Sequence, residues 1–224
     1  MRLLVLGASG GCGQWVVKLA HQRGHDVTAV VRPGSSYVAP EGVSFLREEV
    51  LDDGVLERIL PDQQAVISCL GMSLSKSGNP FLPLRSPPNL MSSTARRLCG
   101  AMSACGVHRV ISISSGGVGD SFARTNWLMR FLFTRSNISI SHTDLLAMEK
   151  HYASSNLDWL AIRPVTLKDG GPTNTAKVVS SYGLKSKITK GEVARLIVEA
   201  AIQAKPLFRS YTHVCWIVAL IELC

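Results

Sequence analysis

The sequence predicts an α/β fold, a doubly wound and mostly parallel sheet with helices on both faces. Three observations predict it. Short apolar, β-branched runs alternate with helical patterns along the chain, and a glycine-rich turn joins the first run to the first helix. The 224 residues are also 46% hydrophobic and only 18% charged, enough apolar material for a sizeable core. No repeat or linker interrupts the pattern, so one domain over 1–224 is expected.

The elements follow in order. Arg2–Leu6 reads as the first strand and Cys12–Gln22 as the helix after it, stopped at Gly24. Asp26–Val31 is the second strand, ended by Arg32-Pro33-Gly34. Val43–Leu46 is a third, followed by a short helix near Gly54–Leu60, and Ala65–Cys69 is a fourth. Met91–Ala104 carries apolar residues at helical spacing and ends at Gly106; His108–Ile113 is the fifth strand. Ser141–Ser154 reads as a helix opened by a capping box of Ser141 and Asp144. Leu157–Ile162 is the sixth strand, stopped by Pro164. Thr189 with Glu192 forms a second box and opens a helix to about Ala204, and Tyr211–Val218 is a candidate seventh strand. Right-handed crossovers then give the order 3-2-1-4-5-6, with a cleft at the carboxyl ends of the strands. Two connections at that edge, 72–89 and 116–140, are longer than tight turns, and long loops there are more often functional than accidental.

Gly7-Ala8-Ser9-Gly10-Gly11-Cys12-Gly13 lies between the first strand and the first helix. Glycines at 7, 10 and 13 permit a sharp turn and a close approach of backbone N–H groups to a pyrophosphate, with the helix N-terminus aimed at the anion. The bland alternative is a turn that merely connects two elements. At the end of the second strand, NAD-specific folds place a carboxylate for the ribose 2′-hydroxyl. Here Val30-Val31-Arg32-Pro33 offers a guanidinium instead, suited to a 2′-phosphate, so NADP(H) is the expected cofactor. A solvated surface arginine is the competing explanation.

With these residues in view, the chain resembles the atypical short-chain dehydrogenase/reductases, in particular the NAD(P)H-binding group that includes biliverdin-IXβ reductase (a flavin reductase) and NmrA-like proteins. The resemblance covers about residues 1–205. It is carried by the Gly7–Gly13 turn, Val31-Arg32-Pro33, the run from Ala65 to Gly71, Gly106-Val107-His108-Arg109-Val110, Ser114-Ser115, and Leu157-Asp158-Trp159 leading into Arg163-Pro164. It implies that Gly7, Ser9, Gly10, Gly11, Cys12 and Gly13 hold the pyrophosphate and Arg32 the 2′-phosphate. It places Glu49 and Val50 along the adenine edge and Leu70 and Gly71 beside the cofactor ribose. Ser114 and Ser115 would stand beside the nicotinamide, with Pro164, Val165 and Thr166 closing over its amide. The chain departs from the bilin-reducing pattern at Glu149 and Thr166, positions that align with cleft histidines there. A carboxylate at 149 weakens the case for a dianionic bilin.

The common short-chain dehydrogenases use Tyr-x-x-x-Lys, in which the lysine helps the tyrosine protonate an alkoxide. Four residues after Tyr37, Tyr152, Tyr182 and Tyr211 stand Glu41, Asn156, Ser186 and Cys215; Lys185 lies only three from Tyr182, in a non-helical stretch. Simple carbonyl redox is therefore disfavoured. A flavin, quinone or similar conjugated acceptor delocalises the incoming charge and needs no strong local acid. Ser115 is the first candidate to contact the nicotinamide or acceptor, and Ser114 the second, against an ordinary strand-end role for either. Glu149 reads first as a helix-surface carboxylate and second as a cleft acid. Trp127, Leu128, Phe131 and Leu132 form an amphipathic stripe, core packing by default and otherwise an apolar lid for a planar substrate.

The remaining composition excludes more than it adds. A net charge of +8 favours anionic partners, yet the basic residues are scattered and no nucleic-acid motif accompanies them. Arg96-Arg97 reads as an exposed helix face. The cysteines at 12, 69, 99, 105, 215 and 224 show no CxxC and fit reduced thiols of a cytoplasmic core. The histidines at 21, 25, 108, 142, 151 and 213 lack ligand spacing, so no metal is expected. No apolar run reaches the roughly 18 residues of a membrane span, and no secretory signal is seen. The expected protein is a monomer or homodimer reducing a small planar substrate with NADPH. The alternative is an NADPH-binding regulator or redox sensor that acts through a protein partner.

Overall fold

The computed structural model describes residues 1–73, 81–179, 182–183 and 186–204, and the backbone of 215–220. The strands are β1 Arg2–Leu6, β2 Asp26–Val31, β3 Ser44–Arg47, β4 Ala65–Ser68, β5 Arg109–Ile113, β6 Asp158–Pro164, β7 Thr166–Lys168, β8 Ala176–Val178, β9 Lys187–Thr189 and β10 Cys215–Leu220. The helices are α1 Gly11–Gln22, α2 Val55–Ile59, α3 Leu90–Cys105, α4 Trp127–Arg135, α5 Ile138–Ala153 and α6 Lys190–Ile202, with a 3-10 turn at Gly119–Arg124. The main sheet runs β3-β2-β1-β4-β5-β6-β10-β8, with only the β10–β8 pairing antiparallel; β7 and β9 make a separate parallel ribbon. The first six positions are the doubly wound order of a Rossmann-type sheet, as expected. A seventh strand does lie beside β6, in register Cys215 to Ala161. Its expected start at 211–214, together with His213, Lys185, Cys224 and residues 74–80 of the first long connection, lies outside the described residues. Among the described residues, no helix is long and apolar enough to cross a membrane.

Strand periodicity explains the two cores. Successive side chains of β1 alternate, so Leu3 and Val5 face one layer and Leu4 and Leu6 the other, all fully buried. The first layer packs Val16, Val17 and Ala20 of α1 against Ala194, Ile197 and Val198 of α6. The second packs Leu98 and Met102 of α3 against Leu145, Met148 and Tyr152 of α5. Helix α3 ends where Gly106 adopts φ +69°, its amide donating to the Met102 carbonyl. At the edge of the first layer, the indole of the half-buried Trp15 lies against Gly171.

Both expected capping boxes need correction. Helix α5 begins at Ile138, three residues earlier than Ser141, and Asp144 does not serve its own helix. It is 4% exposed and accepts from the amides of Met91 (2.8 Å) and Ser92 (2.9 Å), so it caps α3 from across the layer. A carboxylate at a helix N-terminus satisfies free donors and matches the helix dipole wherever it comes from in sequence. Asp144→Ala should therefore cost about 1–2 kcal/mol of stability, read by urea unfolding. An unchanged midpoint would show that water replaces the cap. At α6, Thr189 caps as expected, accepting from Glu192 N at 3.2 Å. Glu192 itself points away. Fully buried, it accepts from Thr173 N, Asn174 N and Ala176 N at 2.8, 2.9 and 3.0 Å and pairs with Arg195 at 2.8 Å. This carboxylate ties the 173–176 segment to α6.

The stretch 116–140 is mostly helical. It holds the 3-10 turn, α4 (capped by Asn126, which accepts from Met129 N at 2.9 Å) and the start of α5. Core packing does not hold for its aromatic stripe: Trp127 is 78% and Phe131 55% exposed, while Leu128 and Leu132 are half-buried. The buried aromatic is Phe133, which meets His142 edge-on at 4.4 Å; burial pushes that imidazole down to about 4.

Candidate cofactor cleft

At the carboxyl ends of β1, β2 and β4 the chain leaves a cleft of about 480 Å³. The turn after β1 forms one wall, with Gly7, Ser9, Gly10, Gly11 and Cys12; Arg32, Glu49 and Val50 form a second; Leu70 and Gly71 form a third. The glycines have geometric reasons to be there. Gly7 sits at φ +75°, and a Cβ there would lie 2.9 Å from the Cys69 carbonyl oxygen. Gly13 stands behind the cleft wall, where a Cβ would lie 2.3 Å from the Gly7 carbonyl oxygen. The turn is strapped to β2, since the amides of Gly7 and Ala8 both donate to the Val30 carbonyl at 3.1 Å. Gly10 is the N-cap of α1 and supplies no side-chain cap, and the first turn carries no acidic residue. The helix thus presents its positive end to the cleft, as an anion seat requires.

Arg32 also borders a second hollow of about 890 Å³ that shares Ser9 and Glu49 with the cleft. Its far side is a short turn missed in the sequence. There Ser35 N donates to Arg32 O at 3.0 Å, Tyr37 N donates to Ser35 Oγ at 3.2 Å, and the Arg47 guanidinium bonds the carbonyls of Ser35 and Tyr37. A Ser-Ser-Tyr run directly after Arg32-Pro33-Gly34 was the available signal.

The other end of the expected site is arranged differently. The chain beyond β5 stays paired with β6, with Ser114 N to Ile162 O at 2.7 Å and Gly116 N to Pro164 O at 2.9 Å. Ser114 is 5% exposed and its hydroxyl donates to Glu149 Oε1 at 2.6 Å; Ser115 is half-buried and donates to the Gly116 carbonyl at 3.1 Å. Pro164 and Val165 are buried and Thr166 is exposed; from this segment it is Leu167 that lines the cleft. The expected surface position of Glu149 is corrected. It is 5% exposed and holds Arg163, itself 4% exposed, through Nε at 3.0 Å and Nη2 at 2.5 Å. Arg163 Nη1 continues to Asp120 Oδ1 at 2.6 Å. A buried carboxylate with so close a cation needs no solvent.

Three residues were not foreseen. Arg163 ties the helical insertion, α5 and Ser114 into one polar network. Lys190 lies over the glycine turn, its Cδ 2.7 Å and Nζ 3.0 Å from where a Cβ on Gly11 would be. Tyr182 sets its ring tip on Gly116; its hydroxyl is buried with no hydrogen-bond partner among the described residues, and burial pushes it up to about 12. Burial likewise pushes the Cys12 thiol up to about 11, against the opposing effect of Lys190, and holds the Cys69 thiol well above its ordinary range. Both thiols stay protonated at neutral pH and act as small apolar wall residues.

A Rossmann-type fold with a cleft at its glycine turn is the class this sheet and site define. The protein-family model for NAD(P)H-binding proteins matches residues 7–204, so the chain belongs to that family. Solved structures of the same fold include ChuY, an anaerobillin reductase from Escherichia coli, at 22% identity and TM-score 0.73, covering 100% of this chain and 99% of that one. They also include a short-chain dehydrogenase/reductase from Veillonella parvula in complex with NADP, at 15% identity and TM-score 0.75, covering 97% and 93%. Among curated proteins, the uncharacterized YwnB of Bacillus subtilis is 40% identical over 52 residues, 23% of this chain and 24% of that protein's length.

Proposed function

We propose that the chain is an NADPH-dependent reductase that passes hydride to a flavin, quinone or similar conjugated acceptor. The observation that carries the cofactor choice is Arg32 at the end of β2, on the wall shared by the cleft and the neighbouring hollow. The helix end at Gly10–Cys12 receives the diphosphate, the guanidinium the 2′-phosphate, and Leu70 and Gly71 flank the ribose. Bound NADPH supplies a hydride; the chain supplies position and exclusion of water. At the β5 and β6 ends the Ser114 hydroxyl is committed to Glu149, and Tyr182 is a weakened acid. That poverty of acids among the described residues supports an acceptor that spreads its own charge. Ser115 contacts the nicotinamide or acceptor, while Ser114 and Glu149 position the strand end rather than transfer a proton. The similarity in fold to an anaerobillin reductase is consistent with a conjugated acceptor.

Titration with NADPH and NADH, then oxidation assays with FMN and small quinones, tests the proposal. NADPH should bind much more tightly than NADH. Arg32→Ala should lose about 1.5–3 kcal/mol of NADPH affinity and leave NADH unchanged, the loss typical of a hydrogen bond to a charged group. Equal affinity for the two nucleotides would sink the role of Arg32. A second reading, a regulator that senses NADPH through a protein partner, is favoured by the exposed Trp127 and Phe131 face of α4. Tight binding without turnover on any acceptor would select it.

A further inference from the structure

Lys190 occupies a place that ordinary electrostatics disfavours. It is the first residue of α6, and its ammonium also lies over Gly11, the first residue of α1. A cation there faces the positive ends of two helices. Its anionic partner among the described residues is Asp169, at 2.6 Å, a side chain 92% exposed. Exposed ion pairs of that kind contribute little stability, so the pair does not explain why the lysine stem crosses the turn. The path is also built for it. A Cβ at position 11 would lie within 3.0 Å of three Lys190 atoms, and Lys190 lines the same cleft as Gly7, Gly10 and Cys12.

The backbone beneath is pinned, so an exchange of partners involves side chains alone. Lys168 pairs with Thr189 in the β7–β9 ribbon, which brings Asp169 and Lys190 to matching ends. Gly191 N donates to Gly170 O at 3.0 Å, and Thr189 Oγ1 donates to Gly171 O at 2.7 Å. We propose that Lys190 is a ligand of the cofactor diphosphate and that Asp169 is the anion it leaves when the dinucleotide binds. This rests on the seat of the dinucleotide at the glycine turn. A compact ammonium on a flexible stem suits a diphosphate approached from above, while the helix amides contact it from below. Asp169 then competes with the cofactor for one cation. The two residues of a single ion pair should therefore affect binding in opposite directions.

Calorimetric titration of the full chain with three probes tests this: NADPH, 2′-phospho-ADP-ribose, and adenosine 2′-monophosphate, which lacks the diphosphate. Lys190→Ala should weaken the first two about tenfold or more and leave the third within about twofold. Lys190→Arg should restore most of the loss. Asp169→Asn should bind NADPH about two- to fivefold more tightly than wild type, because the competing anion is gone. Arg32→Ala should weaken all three, which separates the two anion sites. Thermal unfolding of each variant checks that the fold is kept. If wild type binds NADPH and Lys190→Ala binds it equally well, the role of Lys190 is overturned while the cleft assignment stands. If Asp169→Asn weakens binding as Lys190→Ala does, the pair is a structural brace and the exchange is overturned. Failure of wild type to bind NADPH overturns the dinucleotide seat itself, and this inference with it.

Discussion

Arg163→Ala should lower the unfolding free energy by about 3–5 kcal/mol, because it strands a buried carboxylate. Glu149 is 5% exposed, and its two oxygens are taken by the Arg163 guanidinium and the Ser114 hydroxyl. Losing the cation leaves a charge that the interior solvates poorly. The reciprocal Glu149→Ala should cost a similar amount, since the guanidinium then loses its buried carboxylate. Glu149→Leu combined with Arg163→Met should recover most of the loss, because an apolar pair of similar volume leaves no buried charge. Urea unfolding of wild type, Glu149→Leu, Arg163→Met and their double variant, read as a double-mutant cycle, gives the coupling. Additive losses would show that the pair is not a unit. The network also reaches Asp120, which burial raises but the Arg163 hydrogen bond outweighs, so its carboxyl lies below the ordinary range. Any variant that frees Arg163 should loosen the segment from Gly117 to Arg124.

Glu192 should make the fold sensitive to acid. Burial alone would push this carboxyl up. The Arg195 guanidinium and the amides of Ala176, Thr173 and Asn174 outweigh burial and hold it at about 2, below its ordinary 4.5. A depressed carboxylate contributes its full stability above about pH 4.5 and loses it as pH falls through about 2. The shift corresponds to roughly 3 kcal/mol. Unfolding of wild type and Glu192→Gln at pH 7, 4 and 3 reads it. The gap between them should be full at pH 7, begin to narrow at pH 4 and be clearly smaller, though still open, at pH 3. A gap that stays constant would mean that packing, and not ionisation, makes Glu192 matter.

The parts legible in the sequence were those decided locally. β1 and β2 fall where alternation and flanking turns place them, and the turn between β1 and α1 is marked by glycines that stand within seven residues of one another. The place of the cleft, at the carboxyl ends of the strands, followed from strand order, which the right-handed crossover rule supplies, whereas Glu49, Val50, Leu70 and Gly71 on its walls came from the family resemblance. The misplaced residues are those whose partners are distant in the chain. Asp144 looks like a local cap, but its donors lie 53 and 52 residues earlier, at α3. Glu149 beside Lys150 looks like a solvated helix face, and nothing local announces Arg163 underneath it. Lys190 looks like the charged start of a helix until the fold lays it across Gly11. Trp127 and Phe131 show the converse: helical spacing reveals an apolar stripe but not which way it faces.

The placement of the indoles gives the molecule three separate optical reporters among the described residues. Trp127 is 78% exposed on α4, Trp159 is 8% exposed beside Tyr152, and Trp15 is half-buried against Gly171, close to the segment that Glu192 ties to α6. A soluble quencher reaches the first at once, the second only after the α3–α5 layer opens, and the third as soon as the 170–176 segment lifts from α1. Single-tryptophan variants would then show whether acid frees that segment before the rest of the sheet, a local opening distinct from global unfolding.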